Sequence, residues 1–531
     1  MILVFCAVAA IRVLTFCAAF PFFNNVDEQA HVDLVLKYAR GQLPRDLGHY
    51  SSESAKYLSL YGSPEYFTAP EQFATGMFPP PNWTLPAERR DAVVNRAAAW
   101  WQGNQNHESG EAPLYYGVAG LWLNLGRLFG LSGASLLYWV RFLNVVVAAS
   151  LVWIGFLAAK LVFPDEQFIR VSVSLLLAVW PQTALYSITS DSLSPLCFGV
   201  AFLGLLKILN AERPSPLTAF WTGLALATTC LVKATNIPLV FVAGLALMFT
   251  MRHVAERSEL RRVFAPVALL IGSAAFPMAC WFAWNLHTFG DLTATASKVD
   301  FLDWTPKPVN KWWPHPIFTF VGLKEFWPPS IASFWRGEFI WHGQRLASRL
   351  GDGFYWISST LVILFTAIVL IWRPQKLTIF QRQGLWLAWS SFVVLVVFLA
   401  LLSIAFDFGT CVYPSREHPY FTSGRLLSAA AVPFLLLYSY SLDRAFARVP
   451  RIILFSGIVL FILISELSLT WPAFSSRHNF FHYSVIAAAT KKRCRPSRRS
   501  LRIARVCIPL SALRFETDAA ASRLSGKIRP A

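Results

Sequence analysis

The sequence predicts an all-α protein, a polytopic bundle of about 11 to 12 transmembrane helices with a long first external loop that carries juxtamembrane helices. Composition is the first reason: 55% of residues are hydrophobic and 14% charged, against roughly 25% charged in soluble domains. The second is the recurrence of apolar runs able to cross a hydrocarbon core of about 30 Å, which takes roughly 20 residues. They fall near 1–22, 135–163, 171–189, 192–209, 216–232, 236–251, 264–285, 355–372, 385–406, 426–442 and 452–471, with a weaker one at 113–130. The third is that polar residues gather in two long segments, 23–112 and 286–354.

Taken in order, 1–22 is a retained first span, because no basic region precedes it as in a signal peptide. Arg12 lies in its middle, where a charge is costly unless it meets a buried partner. The external loop 23–112 is rich in Pro and contains a helical stretch from Glu88 to Trp101, polar at its start and aromatic at its end, as suits a helix in the headgroup plane. A transmembrane bundle over 113–285 follows, then a second external segment, 286–354. Its Trp304, Trp312, Trp313, Trp327, Trp335 and Trp341 read either as an interfacial belt or as sugar-stacking rings. Further spans occupy 355–473, and 474–531 is a basic, aperiodic tail.

Charge sets the orientation. The tail's 13 Lys and Arg against Glu516 and Asp518 supply +11 of the net +18. A tail of this kind suits contact with anionic lipid rather than nucleic acid. Basic clusters at Lys160/Arg170, Lys207/Arg213, Arg252–Arg262, Arg373–Arg382 and Arg444–Arg451 fall on one side if crossings alternate from 135 onward, and that side reads as cytoplasmic. The turns at Asp191 and Lys233 and the segments 286–354 and 407–424 then share the external side, joined by 23–112 if 113–130 is not a full crossing. The same parity places the basic tail outside, against the charge rule. The eight Cys show no CxxC spacing and read as small apolar filler.

The chemistry-bearing residues follow that geography. Asp27 and Glu28 stand just beyond the first span, and a carboxylate pair there is expensive without a use. Partial desolvation is expected to raise the pKa of Asp27, fitting it to accept a hydroxyl proton; the plainer reading is a solvated helix N-cap. Glu28 reads as its supporting partner or as merely exposed. His31, four residues on, shares a helix face with Asp27, as a hydrogen-bonded neighbour or a metal ligand. His107, Glu108 and Glu111 form a second acidic cluster able to hold a divalent cation. No GxxxxGK[ST] and no convincing GxGxxG occurs, so no nucleotide cofactor is expected.

An ordered series of short motifs then resembles the GT-C superfamily of polytopic glycosyltransferases, which includes the protein O-mannosyltransferases and the enzymes that add aminoarabinose to lipid A. The series runs Val26-Asp27-Glu28-Gln29-Ala30-His31, Tyr38–Pro44, Glu111-Ala112-Pro113-Leu114-Tyr115-Tyr116, Arg141-Phe142-Leu143-Asn144, Ser190-Asp191-Ser192-Leu193 and Leu231-Val232-Lys233. Trp284–Asp291, Ser333-Phe334-Trp335 and Ser423-Gly424-Arg425-Leu426-Leu427 look like a bacterial branch of that clan known mainly as predicted membrane proteins. The resemblance covers about residues 1–445.

It implies transfer of a sugar from a polyprenyl-phosphate donor to a cell-envelope lipid, polysaccharide or protein on the non-cytoplasmic side of the inner membrane, with inversion at the sugar carbon. Asp27 matches the position that acts on the acceptor. Glu111 matches a Glu that in some members binds metal near the donor phosphate, with His107 beside it. Asp191, Lys233 and Arg425 would line the donor-phosphate site, with His31 nearby; as residues, Lys233 and Asp191 read equally as an intramembrane ion pair. Ala112 stands where the lipid A branch has Lys, which departs from that enzyme's donor contacts. Two competing classes remain: a transporter or flippase of a polyprenyl-linked lipid, and a non-catalytic protein of envelope assembly.

Overall fold

The computed structural model describes residues 1–24, 27–255, 260–372, 377–411 and 413–480. The basic tail from 481 onward, with Cys494 and Cys507, lies outside the described residues, as do Val26 and parts of the basic loops at 256–259 and 373–376.

In chain order the helices are α1 (Ile2–Ala19), α2 (Glu28–Ala39), α3 (Ser52–Tyr61), α4 (Ala87–Gly103), α5 (Leu114–Leu128), α6 (Gly133–Arg141), α7 (Leu143–Val162), α8 (Gln167–Ala178) and α9 (Ser194–Asn210). They continue as α10 (Pro216–Val232), α11 (Val240–Ala255), α12 (Leu260–Phe289), α13 (Ala296–Phe301), α14 (Phe320–Arg336), α15 (Arg349–Trp372), α16 (Ile379–Ala405), α17 (Ala431–Ala445) and α18 (Arg448–Ser475). Four two-residue strands form two small antiparallel pairs: β1 (Thr305–Pro306) with β4 (Phe406–Asp407), and β2 (Ile340–Trp341) with β3 (Gln344–Arg345).

Among the described residues, nine helical stretches are long and apolar enough to cross a membrane, and α8 and α10 are shorter apolar helices. The weak run at 113–130 becomes α5, which packs on α2, α6 and α10 rather than standing among the spans. The run read as a span over 171–189 is helical only to Ala178. Pro181 has no N–H to donate and disfavours helix at Trp180. From Val179 to Leu193 the chain is irregular or 3-10 and buried throughout, the condition under which non-helical backbone is tolerated at membrane depth. The helix expected from Glu88 to Trp101 is α4, exposed along nearly its whole length.

The segment 286–354 is more than a loop. It contains α14, which packs against α15 and the 3-10 turn Gly424–Ala430 and buries Phe334 and Trp335. That burial corrects the sugar-stacking reading of Trp335, a core side chain lying 5.4 Å from and parallel to Tyr355. At the centre of the bundle, α17 is buried all round against α7, α8, α9, α15 and α16, as expected of a helix that is apolar on every face.

Arg12 finds the partner its position required. Its guanidinium meets Glu466 of α18 at 2.6 Å and donates to the carbonyl oxygens of Ala178, at 3.0 Å, and Trp180, at 2.6 Å; it also contacts Tyr186. These carbonyls belong to the open C-terminal end of α8, so one cation closes an interrupted helix. The Tyr186 hydroxyl in turn donates to Glu466.

Removing one member of a buried pair leaves the other uncompensated. Arg12→Ala is therefore expected to lower stability by about 3–5 kcal/mol, seen as a fall in the thermal midpoint of the detergent-solubilised protein. Arg12→Leu combined with Glu466→Leu should recover part of that loss. An unchanged midpoint in Arg12→Ala would show the pair to be energetically idle.

Candidate active site

Asp27 is the N-cap of α2, but its backbone is left-handed, with φ 62°. An Asp N-cap ordinarily turns its own carboxylate onto the first N–H groups of its helix. Here the side chain makes no such capping bond, and the helix start is served by the Asp27 carbonyl, which accepts from Ala30 N and His31 N. The carboxylate is thereby released to face Arg425, whose Nη2 donates to Oδ2 at 2.9 Å, and His107, whose Nε2 lies 3.6 Å from Oδ1.

His107 is positioned by a polar lock inside the first loop. Buried Asp33, one turn along α2, accepts from Ser51 N at 2.8 Å, Ser54 Oγ at 2.6 Å and Asn106 Nδ2 at 2.9 Å. Asn106 also donates to Ala30 O and accepts from Glu108 N. The His107 ring then lies parallel to Phe301 of α13, centroids 5.9 Å apart, with its Nε2 3.2 Å from Glu108 Oε1. Lys298, also on α13, bridges Glu108 at 2.8 Å and Glu111 at 3.1 Å, tying the segment 286–354 to 23–112.

A second set of charges lies on the bundle side. Lys233 is 2.7 Å from Asp191. Arg425 reaches three acids: Asp27, Asp191 at 3.5 Å and Glu338 at 3.4 Å. It owes its place to Gly424, where a Cβ would collide with Ser330 O and Phe334 N of α14; only glycine lets the turn approach this closely.

The titrations follow from these neighbours. Burial alone would raise the Asp27 carboxyl, but His107 and Arg425 beside it outweigh burial and hold it below the usual carboxylate range. The expected upward shift is therefore corrected: Asp27 is an ionised, paired carboxylate. Burial would lower the His107 imidazole, yet the carboxylates of Asp27 and Glu108 lift it to about 9. Glu108 is held low against its burial by Lys298 and His107, whereas Glu111 is pushed up by burial. Burial lowers His31 to about 4, so it stays neutral.

Of the residues singled out in the sequence, Asp27, His107, Asp191, Lys233 and Arg425 form one continuous network. Glu28 serves otherwise. One oxygen accepts from Arg141 Nε at 2.8 Å and Ile188 N at 3.0 Å, the other from Arg141 Nη2 at 2.7 Å and Phe23 N at 2.9 Å. Four donors fill the four lone-pair sites of a carboxylate, and the residue is fully buried. Glu28, singled out with Asp27 as a candidate catalytic residue and read as its supporting partner or as merely exposed, is instead buried and turned to Arg141: it pins the start of α2 to α6 and to the irregular stretch after α8. His31 Nδ1 bonds the Tyr116 hydroxyl at 2.7 Å.

A divalent cation fits Asp27, His107 and Glu108, which offer one ligand atom each, all within 4.8 Å of one another. The donor separations of 3.2 and 3.6 Å match the polyhedron edges around an ion with bonds of roughly 2.1 Å. Among the described residues Glu111, expected with His107 in this set, stands apart in its pair with Lys298.

His107 opens onto a cavity of about 790 Å³. The first loop contributes Tyr50, Phe67, Trp100 and Trp101, the second segment Phe301 and Arg345, and 407–424 supplies Tyr413, His418 and Tyr420. The two long polar segments 23–112 and 286–354 thus line this cavity together with 407–424, which the charge pattern groups with them. Glu338, Lys298, Asp33 and Arg345 were missed; Glu338, three residues after the Ser333-Phe334-Trp335 motif, was the one with a sequence cue.

A histidine whose pKa is raised on folding stabilises fully below its unfolded value of 6.5 and loses that contribution as pH rises through about 9. The thermal midpoint should therefore fall across this window in the wild type and fall less in His107→Gln. Parallel pH profiles would exclude the paired imidazolium.

No match emerges among curated proteins. Among solved structures, the chain is similar to the Archaeoglobus fulgidus oligosaccharyltransferase in complex with Zn and sulfate, at 15% identity and a TM-score of 0.37, covering 71% of this chain and 44% of that one. It is also similar to the apo form of that protein, at 12% identity and a TM-score of 0.36, covering 90% of this chain and 56% of that one. The chain thus spans about half the length of these relatives, and a likeness this distant carries no weight for function. The family of predicted membrane proteins DUF2142 matches residues 11–415, most of the 531-residue chain; with nine membrane-length helices among the described residues, the chain is an integral membrane protein belonging to that family.

Proposed function

We propose that the chain is an inverting membrane glycosyltransferase, which transfers a sugar from a polyprenyl-phosphate donor to a cell-envelope acceptor at the non-cytoplasmic face of the inner membrane. The observation that carries this reading is the presentation of Asp27: a carboxylate turned away from its own helix, kept ionised, and set behind His107 at the wall of an aromatic cavity of about 790 Å³. Aromatic rings suit the apolar faces of sugars and lipid.

In this reading an acceptor hydroxyl attacks the sugar C1. As the new C1–O bond forms, the hydroxyl becomes acidic and passes its proton to Asp27. The bond from C1 to the phosphate oxygen breaks, and the polyprenyl phosphate leaves as an anion. A carboxylate with a lowered pKa is a weak base, so Asp27 acts chiefly by orienting the hydroxyl and taking its proton late. Arg425 and Lys233, already fixed by Asp191, supply positive potential near the departing phosphate without reorganising. A divalent ion bound by Asp27, His107 and Glu108 would neutralise charge on the donor phosphate. His107 would have to give up its proton to ligate. The remote parts of the cavity hold the substrates in line for attack.

The test is release of free polyprenyl phosphate from a panel of polyprenyl-phosphate sugars by purified protein, with membrane extract supplying the acceptor. Asp27→Asn at equal folding should cut release by about 100-fold or more. Equal turnover in the variant removes Asp27 from the chemistry, and no release from any donor removes the transferase reading.

A further inference from the structure

Among the described residues lining the cavity, Arg345 is the only Arg or Lys, and it joins the charge network above only through Glu338. Its backbone is fixed from three directions. Gly337 ends α14 with φ 75°, at a point where a Cβ would collide with Gln182 and Thr183. The β2–β3 hairpin turns through His342 and Gly343, both with positive φ, 55° and 72°, as the tight two-residue hairpin turn requires. The turn docks on the first loop through His342 N to Glu65 O at 2.7 Å and Gly343 N to Tyr66 O at 2.9 Å.

The side chain is held without being used up. Its guanidinium lies over the Tyr413 ring at 4.7 Å and hydrogen-bonds that side chain, and Nη2 is 3.5 Å from Glu338 Oε1. That is an ion pair at the outer limit of hydrogen-bond length. Glu338, buried, is shared with Arg425 at 3.4 Å and accepts from Ser423 Oγ at 3.1 Å. The Arg345 side chain keeps 29% exposure, against 16% for Arg425 and 8% for Lys233. A guanidinium oriented on an aromatic face, with N–H donors left over in a cavity walled by rings, is prepared for a planar or tetrahedral oxyanion. Glu325 is the acid on the same lining and disfavours an anion at its own end.

We propose that Arg345 is an anion-binding residue of the cavity, taking a phosphate or carboxylate of the substrate and fixing which end of that substrate faces Asp27. The inference rests on the cavity being the substrate site of the proposed transferase. The anion is either the phosphate of the lipid-linked donor or the carboxylate of an acidic sugar, and Arg345 distinguishes both from their neutral counterparts.

The test is binding, not turnover, measured by calorimetry on the full chain in lipid nanodiscs. The probes are a short-chain polyprenyl phosphate against the matching polyprenol, and methyl glucuronoside against methyl glucoside. Wild type should prefer one charged probe to its neutral partner. Arg345→Gln should weaken that anion by about tenfold to a hundredfold and leave the neutral probe unchanged. The pair that responds names the source of the anion. Arg345→Lys, which keeps the charge and loses the fork, should retain part of the preference; if Arg345→Gln does not fold, a several-fold loss for the anion alone in Arg345→Lys stands in its place. Equal binding of charged and neutral probes by wild type, or anion affinity untouched in the folded variant, overturns the proposal. A failed release assay with this discrimination intact would sink the transferase chemistry and leave the anion site standing.

Discussion

Arg425 is the interaction on which the site depends. Its guanidinium touches Asp27 at the head of α2, Asp191 in the turn before α9 and Glu338 after α14, three stretches of chain that share no local contact in sequence. One cation among three buried acids is a constraint as much as an attraction. Removing it would leave carboxylates packed together in a low dielectric, where like charges cannot all remain ionised. The surrounding cations, Lys233, His107 and Lys298, then keep the acids at fixed spacing instead of allowing them to protonate or move apart.

The polar network sits where helices stop. Irregular or 3-10 backbone follows α8, precedes α9, joins α10 to α11 and precedes α17, and Asp191, Lys233 and Arg425 lie in those interruptions. Side chains within regular helices are confined to the helix face, whereas a broken helix exposes backbone groups and can aim a side chain along the bundle. The interruptions are affordable because they are buried in protein and supplied with partners, Arg12 for the end of α8 and Glu28 for the backbone N–H of Ile188. Stability and site geometry are thus linked through the same polar groups.

The direction of the Asp27 shift shows how partners override medium. Position at a membrane boundary argues for a raised pKa by desolvation; His107 and Arg425 reverse the sign. The same pairing lifts His107 and leaves the two residues as a charged couple at the cavity wall. Arg345 belongs to the same arrangement at one remove, since Glu338 is common to it and to Arg425.

The sequence by itself determined the class of protein, the approximate position of the membrane-length helices, the existence of α4 and the need of Arg12 for a partner. Each depends on composition or local pattern: a 20-residue apolar run must cross the bilayer or be buried, and an isolated charge within it must be met. It also marked Asp27, because a carboxylate just beyond an apolar run is conspicuous, while Asp191, Lys233 and Arg425 were marked by the resemblance of their motifs. Apart from the Lys233–Asp191 pair, which the sequence offered as one reading, tertiary structure alone decided which of these charges meet. Lys298 is 190 residues from Glu108 and Arg425 is 398 from Asp27, and nothing local signals either pairing. It likewise diverted Glu28 to Arg141, stopped the helix of 171–189 at Ala178, and brought Arg345 to the cavity from an ordinary polar hairpin. A charge's role is set by the field of its neighbours, and in a bundle those neighbours come from remote parts of the chain.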